Sequence, residues 1–423
     1  MAGRPENWAH NVVFSTDRME RPSQVGQLQE IVGRAPRVRA LGSAHSFNRI
    51  ADTTGVLLST AALPPVVEID KERSRVRVAA GVRYGDLAQR LWAEGFALHN
   101  LGSLPHISVA GACTTATHGS GDANGNLATA VTALEIVTAD GQLTRLRRGE
   151  PDFAGAVVGL GGLGVVTALE LEMVPAFQVA QYVYEGVPAG QVVSHFEEIF
   201  SSGYSVSVFT DWLAGGDGAK VWQKLRVDGG DTATAGGGAA RWLGGRLADG
   251  PRNPVPGMPA GNATEQSGVP GPWHERLPHF RLAFTPSSGE ELQSEHLIPR
   301  SSIGPALEAV AALGDRISPI LQISEIRTMT ADDLWMSMAY QRDTVGFHFT
   351  WVKDEAAVMP VVTAIEAALA PFAARPHWGK VFTTPPEVVR DLYPRWAEFG
   401  SLLRRYDPDG KFRNDFMDRY FPA

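Results

Sequence analysis

Five polar side chains that bind and polarise hydroxyl groups lie in three short stretches of the second half of the chain. Strand-like alternation places Glu325 and Arg327 on one face of the first stretch, and His348 and Thr350 on one face of the second. The third stretch places Lys380 directly after a Trp–Gly pair and before an expected apolar strand. A carboxylate accepts hydroxyl protons, whereas Arg, Lys and His donate hydrogen bonds or stabilise an alkoxide as it forms. Together these residue types favour a site for a hydroxylated substrate.

These residues also have structural interpretations. Glu325 and Arg327 could form a solvated ion pair that contributes little to stability, and a single histidine on a strand, such as His348, is more often a hydrogen-bonded structural residue. Clustered His and Glu can also bind metal, but the sequence contains no His-x-x-x-His or His-Glu-x-x-His spacing. We therefore expect no metal site.

A turn of small residues in the first half of the chain brings a histidine next to exposed backbone. Gly42, Ser43 and Ala44 follow a short strand and precede His45. Because the turn has little side-chain bulk, its N–H groups can approach a phosphate closely. A second stretch, residues 100–121, is rich in Gly, Ser, Thr and Ala and is predicted to be a loop along an elongated polar ligand. Alone, the first turn could equally be a simple strand-to-helix turn.

Several other classes of site are disfavoured. The glycines of residues 159–164 lead into an alternating, strand-like run and not into a helix, which argues against a nicotinamide or ATP site. The net charge of −8, with scattered Lys and Arg, offers no basic stripe for nucleic acid. The single cysteine, Cys113, excludes a disulfide within the chain. No basic and apolar leader and no run of about 18 apolar residues occurs, so we expect a soluble, cytoplasmic protein without a membrane partner.

The first half of the chain is predicted to be a mixed α+β unit of order β-α-β-β-β-β-α. We expect its first strand around residues 11–14 and its first helix over residues 24–33, with Ser23 as the N-cap. The second helix is expected over residues 84–94, closed by Gly95. A β-hairpin across an Asp–Gly turn and a strand after the later glycines complete the unit.

From about residue 177, runs of alternating apolar and polar residues predict a series of strands. This change in pattern indicates a separate sheet-bearing unit. Residues 215–272 are rich in Gly, Pro and Ala and are predicted to form long irregular loops on the surface. The expected strands in this half, besides those that carry the polar residues, are 180–184, 204–209, 220–227, 279–284 and 292–297.

The chain resembles the vanillyl-alcohol-oxidase type of FAD oxidoreductases, in the branch of the alditol and sugar-lactone oxidases. Two motifs indicate the flavin fold, LGSAHSFN at residues 41–48 and SLPHISVAGACTTATHGSG at residues 103–121. The motifs GLGVVT, SEIRT, HFTW and HWGKVF, which begin at residues 162, 324, 348 and 377, extend the resemblance over nearly the whole chain.

The resemblance implies an α+β, two-domain flavoprotein. Residues 1–177 would form a PCMH-type FAD-binding domain and residues 178–380 a substrate-binding cap domain with a sheet. Residues 381–423 would pack back on the FAD domain. The length of 423 residues agrees with two packed domains.

The implied cofactor is FAD, joined covalently to the side chain of His45 through the 8α-methyl group of its ring system. Ala44 stands where some relatives have Gly, and we expect it to have a negative φ. Cys113 raises the question of a second flavin bond, but is expected to be only a small buried residue. The residues implied to bind FAD are Ala40, Leu41, Gly42, Ser43, Ala44, His45, Ser46, Ser103, Ser108, Gly111, Ala112, Cys113, Thr114, His118, Val166 and His377.

The implied reaction oxidises the terminal alcohol of an alditol, such as xylitol or sorbitol, with O2 as the final oxidant and hydrogen peroxide as product. Arg327 and Lys380 would stabilise the alkoxide, and His348 would be the general base. A monomer is expected. A sugar-lactone oxidase or dehydrogenase and a non-catalytic flavin- or sugar-binding protein are the alternatives. The substrate would be bound by Ser103, Glu325, Arg327, Thr350 and Lys380, with Gln293 as a weaker candidate.

Overall fold

A computed structural model describes residues 4–213, 215–227, 236–284 and 289–422. The first half contains a small parallel sheet of order β1-β3-β2, an antiparallel sheet of order β4-β5-β9-β7-β8 and a two-stranded pair of β6 and β10. The strands are β1 (Met19–Glu20), β2 (Val38–Leu41), β3 (Val56–Ser59), β4 (Val67–Asp70), β5 (Arg75–Ala79), β6 (Phe96–Ala97), β7 (Val131–Val137), β8 (Leu143–Arg147), β9 (Val165–Glu172) and β10 (Val174–Pro175). The helices are α1 (Val25–Arg34), α2 (Tyr84–Ala93), α3 (Val109–Thr114) and α4 (Phe153–Ala156).

The predicted α+β class and element order are confirmed, but three local predictions are wrong. Residues 11–14 form only an isolated bridge, and the first strand is Met19–Glu20. The side chain of Ser23 bonds to Gln27 and caps no backbone N–H of α1. Residues 100–121 contain the short helix α3, because the small apolar residues of Val109–Thr114 pack as a buried face in the core.

A ten-stranded antiparallel sheet dominates the second half, in the order β14-β15-β11-β13-β12-β18-β19-β17-β20, with β16 paired to β11. Its strands are β11 (Gln178–Val187), β12 (Ser205–Thr210), β13 (Ala219–Arg226), β14 (Arg241–Trp242), β15 (Gly245–Leu247), β16 (Gly271–Pro272), β17 (Glu291–Pro299), β18 (Leu321–Met329), β19 (Thr344–Val352) and β20 (Arg375–Pro376). The helices of this half are α5 (Ala189–Ser194), α6 (Phe196–Phe200), α7 (Ile303–Ala311), α8 (Gly314–Ile317), α9 (Glu355–Leu369), α10 (Pro386–Leu392), α11 (Trp396–Tyr406) and α12 (Asp415–Tyr420).

The two faces of the ten-stranded sheet differ in polarity because side chains alternate along each strand. One face presents apolar residues such as Phe347, Phe349 and Trp351 to a core that includes α7 and α9. The other face carries a row of paired residues from four adjacent strands, β12, β18, β19 and β17. Glu325 on β18 and His348 on β19 are neighbours in this row. The predicted alternation, which placed Glu325 with Arg327 on β18 and His348 with Thr350 on β19, is therefore confirmed. Both strands are buried and not solvated.

Two predicted strands of this half are wrong. Residues 279–284 are turns with one bridge, between Phe280 and Ala263. The residues after Lys380 have no regular structure, although Val381 N donates to the Gln293 carbonyl at the edge of β17. Of residues 215–272, the part 228–235 lies outside the described residues. The described rest after β13 carries short strands of two or three residues and one 3-10 turn, Ala260–Asn262.

The last three helices share a core with the first half of the chain. Val389, Phe399 and Leu402 belong to the same buried cluster as Val157 and Leu160. The same cluster includes Leu297 of β17, and Arg375 of β20 donates to the Leu392 carbonyl of α10, so the segment also contacts the edge of the ten-stranded sheet.

One described helical stretch, residues 355–372, is long and apolar enough to cross a membrane by length and composition. Its inner side, including Val358, Val362, Ile365 and Leu369, is buried in the core that also holds α7. Only 28% of the stretch is buried, and this one-sided packing is typical of an amphipathic helix that covers a core.

Candidate active site

A cavity of about 470 Å³ extends from the small-residue turn after β2 to the polar face of the ten-stranded sheet. At the turn, the cavity is lined largely by backbone and small side chains, whereas its far end carries charged groups. Of the residues implied by the resemblance, those that line it are Ala40, Leu41, Gly42, Ser43, Ala44, His45, Ser46, Ser103, Gly111, Ala112, Thr114, His118, Val166, Gln293, Glu325, Arg327, His348, Thr350, His377 and Lys380.

At the turn end of the cavity, the loop that contains Ser43 is hydrogen-bonded to the loop that contains Ser108. A Cβ on Gly42 would lie 2.3 Å from Ser108 Oγ, so the close approach requires glycine. Ser43 N donates to Ser108 Oγ over 3.3 Å, and Ser108 N donates to Ser43 Oγ over 3.1 Å. Ser108 thus braces the turn instead of lining the cavity. A groove walled by glycine and small hydroxyl residues fits the pyrophosphate of FAD, because backbone can approach an anion there.

His45 lies half-buried beside this turn. Its Nδ1 donates to the Ser43 carbonyl over 2.8 Å, and the Trp8 ring stacks on it at 5.0 Å between centroids. Burial lowers the pKa of His45 to about 4, so the ring is neutral near pH 7. The expectation of a negative φ for Ala44 is wrong, because φ is 57°. Trp8 N donates to the Ala44 carbonyl over 2.8 Å, which shows how the surrounding structure holds that conformation.

Arg39, on β2, joins the turn to distant parts of the chain. Its guanidinium donates to the carbonyls of Ile50, Leu160, Gly161 and Phe412, the last over 2.7 Å. Burial lowers its pKa to about 10, which still leaves it charged at neutral pH. This one side chain therefore fixes β2 against the 160–164 loop and the C-terminal segment.

Glu295, on β17, is the centre of the charged end of the cavity, and the sequence did not single it out. Glu295 is paired with His348 on β19, and His348 is paired in turn with Glu325 on β18. The Glu295 carboxylate accepts from Arg327 over 2.7 Å and from Lys380 over 2.5 Å. Burial raises the pKa of Glu295, but the cations of Arg327 and Lys380 more than reverse this effect and hold the pKa well below its usual range.

Lys380 links this carboxylate to His348. Its Nζ also donates to His348 Nδ1 over 2.7 Å. Burial lowers the pKa of Lys380. The negative charge of Glu295 partly reverses this effect, and the resulting pKa of Lys380 is about 8. Burial and the charge of Lys380 hold the pKa of His348 well below its usual range, so the imidazole is neutral. Since Nδ1 accepts, the ring proton lies on Nε2, 3.1 Å from Thr350 Oγ1.

Glu325 has a different environment. Its Oε1 accepts from His279 Nε2 over 2.8 Å, and its Oε2 lies 3.7 Å from Arg327 Nε. Burial raises its pKa, but Arg327 and His279 lower it more, so the group is a carboxylate at neutral pH. His279 also lines the cavity.

Cys113 and three potential metal ligands differ from the rest of the set. The thiol of Cys113 points into the core, 3.3 Å from Tyr84 Oη, and lines no part of the cavity. His118, Glu295 and His377 place one potential ligand atom each within 4.8 Å of one another. Because Glu295 already neutralises two cations, a metal ion there would meet strong repulsion.

Glu295 and His279 are the residues that sequence reasoning missed. Glu295 lies in the correctly predicted strand at 292–297, and the usable signal was a charged residue inside a buried strand. His279 lies in the segment that was wrongly predicted to be a strand.

Comparisons with known proteins agree with this geometry. Residues 17–147 match the family model described as an FAD binding domain, and residues 290–420 match that of D-arabinono-1,4-lactone oxidase. The chain is 49% identical over 414 residues to an alditol oxidase of Streptomyces sp., and the match covers 97% of both chains. It is 30% identical over 447 residues to an L-gulono-1,4-lactone dehydrogenase of Mycobacterium tuberculosis, with 98% of both covered.

Solved structures share the fold. The cholesterol oxidase of B. sterolicum superposes with a TM-score of 0.80 at 15% identity and covers 99% of this chain and 96% of its own. The xylooligosaccharide oxidase of Myceliophthora thermophila gives a TM-score of 0.75 at 13% identity, covering 99% and 93%.

Proposed function

This chain belongs to the family of FAD-dependent alditol and aldonolactone oxidoreductases, and from that membership we propose that it oxidises the terminal alcohol of alditols such as xylitol and sorbitol. The products are the aldose and, from O2, hydrogen peroxide. The observation that carries this function is a set of polar residues at the far end of the cavity from the turn at residues 42–44. Glu325, Arg327, His348 and Thr350 are buried there, beside the mostly buried Lys380. The enzyme acts as a cytoplasmic monomer.

FAD, when bound, supplies the acceptor for the substrate hydride and passes the electrons to O2. The turn at residues 40–46 and the neighbouring small residues of α3 would hold it. His45 would anchor the flavin through a covalent bond. Its neutral ring supports that role, because a protonated imidazole has no lone pair for bond formation.

The substrate hydroxyls bind among Ser103, Glu325, Thr350 and the two cations. The hydroxyl proton leaves as the hydride does, and the geometry supports Lys380, rather than His348, as its acceptor. As a neutral amine, Lys380 donates its two N–H groups to Glu295 and His348 and keeps one lone pair toward the cavity. Once protonated, Lys380 is a cation beside the alkoxide, and Arg327 is a second one.

Peroxide release with xylitol, sorbitol and an aldonolactone tests the proposal. We expect turnover of both alditols and little turnover of the lactone. Turnover of the lactone alone would establish the alternative lactone oxidase. An oxidised flavin that no alditol bleaches without O2 would establish a binding protein without catalysis.

A further inference from the structure

A buried chain of polar groups lies directly behind Glu325, outside the set that the proposed function uses. His279 donates from Nε2 to Glu325 Oε1 over 2.8 Å. On the other side of the ring, Lys224 Nζ lies 3.4 Å from His279 Nδ1. Lys224 is only 1% exposed and lies two residues before the end of strand β13. The three side chains thus connect the interior of the sheet to the substrate end of the cavity.

The contacts of Lys224 fix the tautomer of His279. Lys224 donates to the carbonyls of Leu277 and Pro278. Burial lowers the pKa of Lys224 to about 7, and in its charged form it offers only donors to Nδ1. The Glu325 carboxylate can only accept from Nε2. The proton of the neutral ring therefore resides on Nε2, where it is donated to Glu325. Burial and the charge of Lys224 lower the pKa of His279 to about 4, which agrees with a neutral ring.

The position of the His279 ring is equally fixed. It packs edge to face against Phe209 and Trp222, with centroids 5.2 and 5.4 Å away. Its backbone N donates to the carbonyl of Ser103, which also lines the cavity. Burying a lysine costs free energy unless its donors are satisfied. An apolar side chain at Lys224 would serve packing alone better.

We propose that His279 is a positioning residue for Glu325. It occupies Oε1, so that Oε2 is turned toward the substrate hydroxyl, and Lys224 holds the ring in the donating tautomer. This inference rests on the proposed function, because Glu325 is the carboxylate that binds the alditol there.

The matched variants His279→Gln and His279→Asn test the role in the holoenzyme. The amide nitrogen of Gln reaches the place of Nε2, whereas that of Asn reaches only the place of Nδ1. Both substitutions remove the same ring, so that packing losses are common to the two. We expect His279→Asn to raise KM for xylitol about tenfold, or about 1.4 kcal/mol, and His279→Gln to stay within about twofold of the wild type. The rate of anaerobic flavin bleaching at saturating xylitol should change less than about threefold in both.

Equal KM values in the Gln and Asn variants would overturn the proposal, as would a loss of bleaching rate with KM unchanged. Lys224→Met leaves the ring in place and should raise KM about threefold, because Nδ1 is no longer held as an acceptor. An unchanged KM there would refute the part assigned to Lys224. A wild-type protein that oxidises no alditol would instead refute the proposed function, so the two failures are distinguishable.

Discussion

Replacing Glu295 with Gln tests the assignment of Lys380 as the base. The Glu295 carboxylate accepts from Arg327 and Lys380 and partly offsets the lowering effect of burial on the pKa of Lys380, which stands at about 8. A hydrogen bond to a charged group contributes roughly 1.5–3 kcal/mol, and about 1.4 kcal/mol corresponds to one pKa unit. In Glu295→Gln we therefore expect the pKa of Lys380 to fall to about 6 to 7. The free energy of unfolding should fall by about 3 kcal/mol, because two buried cations lose their counter-charge.

The assay is anaerobic flavin bleaching by xylitol, measured by stopped flow from about pH 5.5 to 9.5. In the wild type the rate should rise with pH through about 8, as Lys380 loses its proton and becomes the base. In Glu295→Gln the rising limb should move to lower pH. Glu366→Gln is the matched control, because Glu366 is a half-buried carboxylate that accepts from Thr383 and does not line the cavity. A limb that stays at the wild-type position in Glu295→Gln would refute the assignment of Lys380.

Three further outcomes follow from the turn and from α3. His45→Ala should release all flavin into the supernatant on acid precipitation, whereas the wild-type pellet stays yellow; a yellow variant pellet would place the bond elsewhere. Ala44→Gly should raise the free energy of unfolding by about 0.5 kcal/mol, because relief of about 1–2 kcal/mol at positive φ exceeds the roughly 0.5–1 kcal/mol of added chain entropy; a lower Tm would contradict this. Burial raises the pKa of Cys113 to about 12, so a thiol reagent at about pH 8 should label it only in denaturant, and rapid labelling of the native protein would show that α3 opens.

Alternation along single strands predicted much of the charged end of the cavity. Period-two patterning placed Glu325 with Arg327 and His348 with Thr350, and the structure has both pairs facing the cavity. The pattern of one strand does not tell which strands are neighbours or how they are aligned. Glu295 takes its role from the alignment of β17 beside β19, which depends on pairing between distant parts of the chain.

Residues outside regular strands were harder to predict for a related reason. His279 has its role because a turn carries it under β12 and β13, and no local periodicity marks such a position. Likewise, the positive φ of Ala44 follows from its tertiary contacts with the segment around Trp8, since alanine by itself disfavours that conformation. Local rules do not include these long-range contacts.

The attachment of β2 to the C-terminal segment makes the small-residue turn depend on a distant part of the chain. Val38 N donates to the Lys411 carbonyl over 2.9 Å, and Arg39 donates to the carbonyl of Phe412 over 2.7 Å. The strand that leads into the turn at residues 42–44 is therefore held on one side by β3 and also by residues more than 370 positions later in the sequence. The final geometry of the turn consequently depends on long-range pairing, which forms more slowly than local contacts because a large loop must close first.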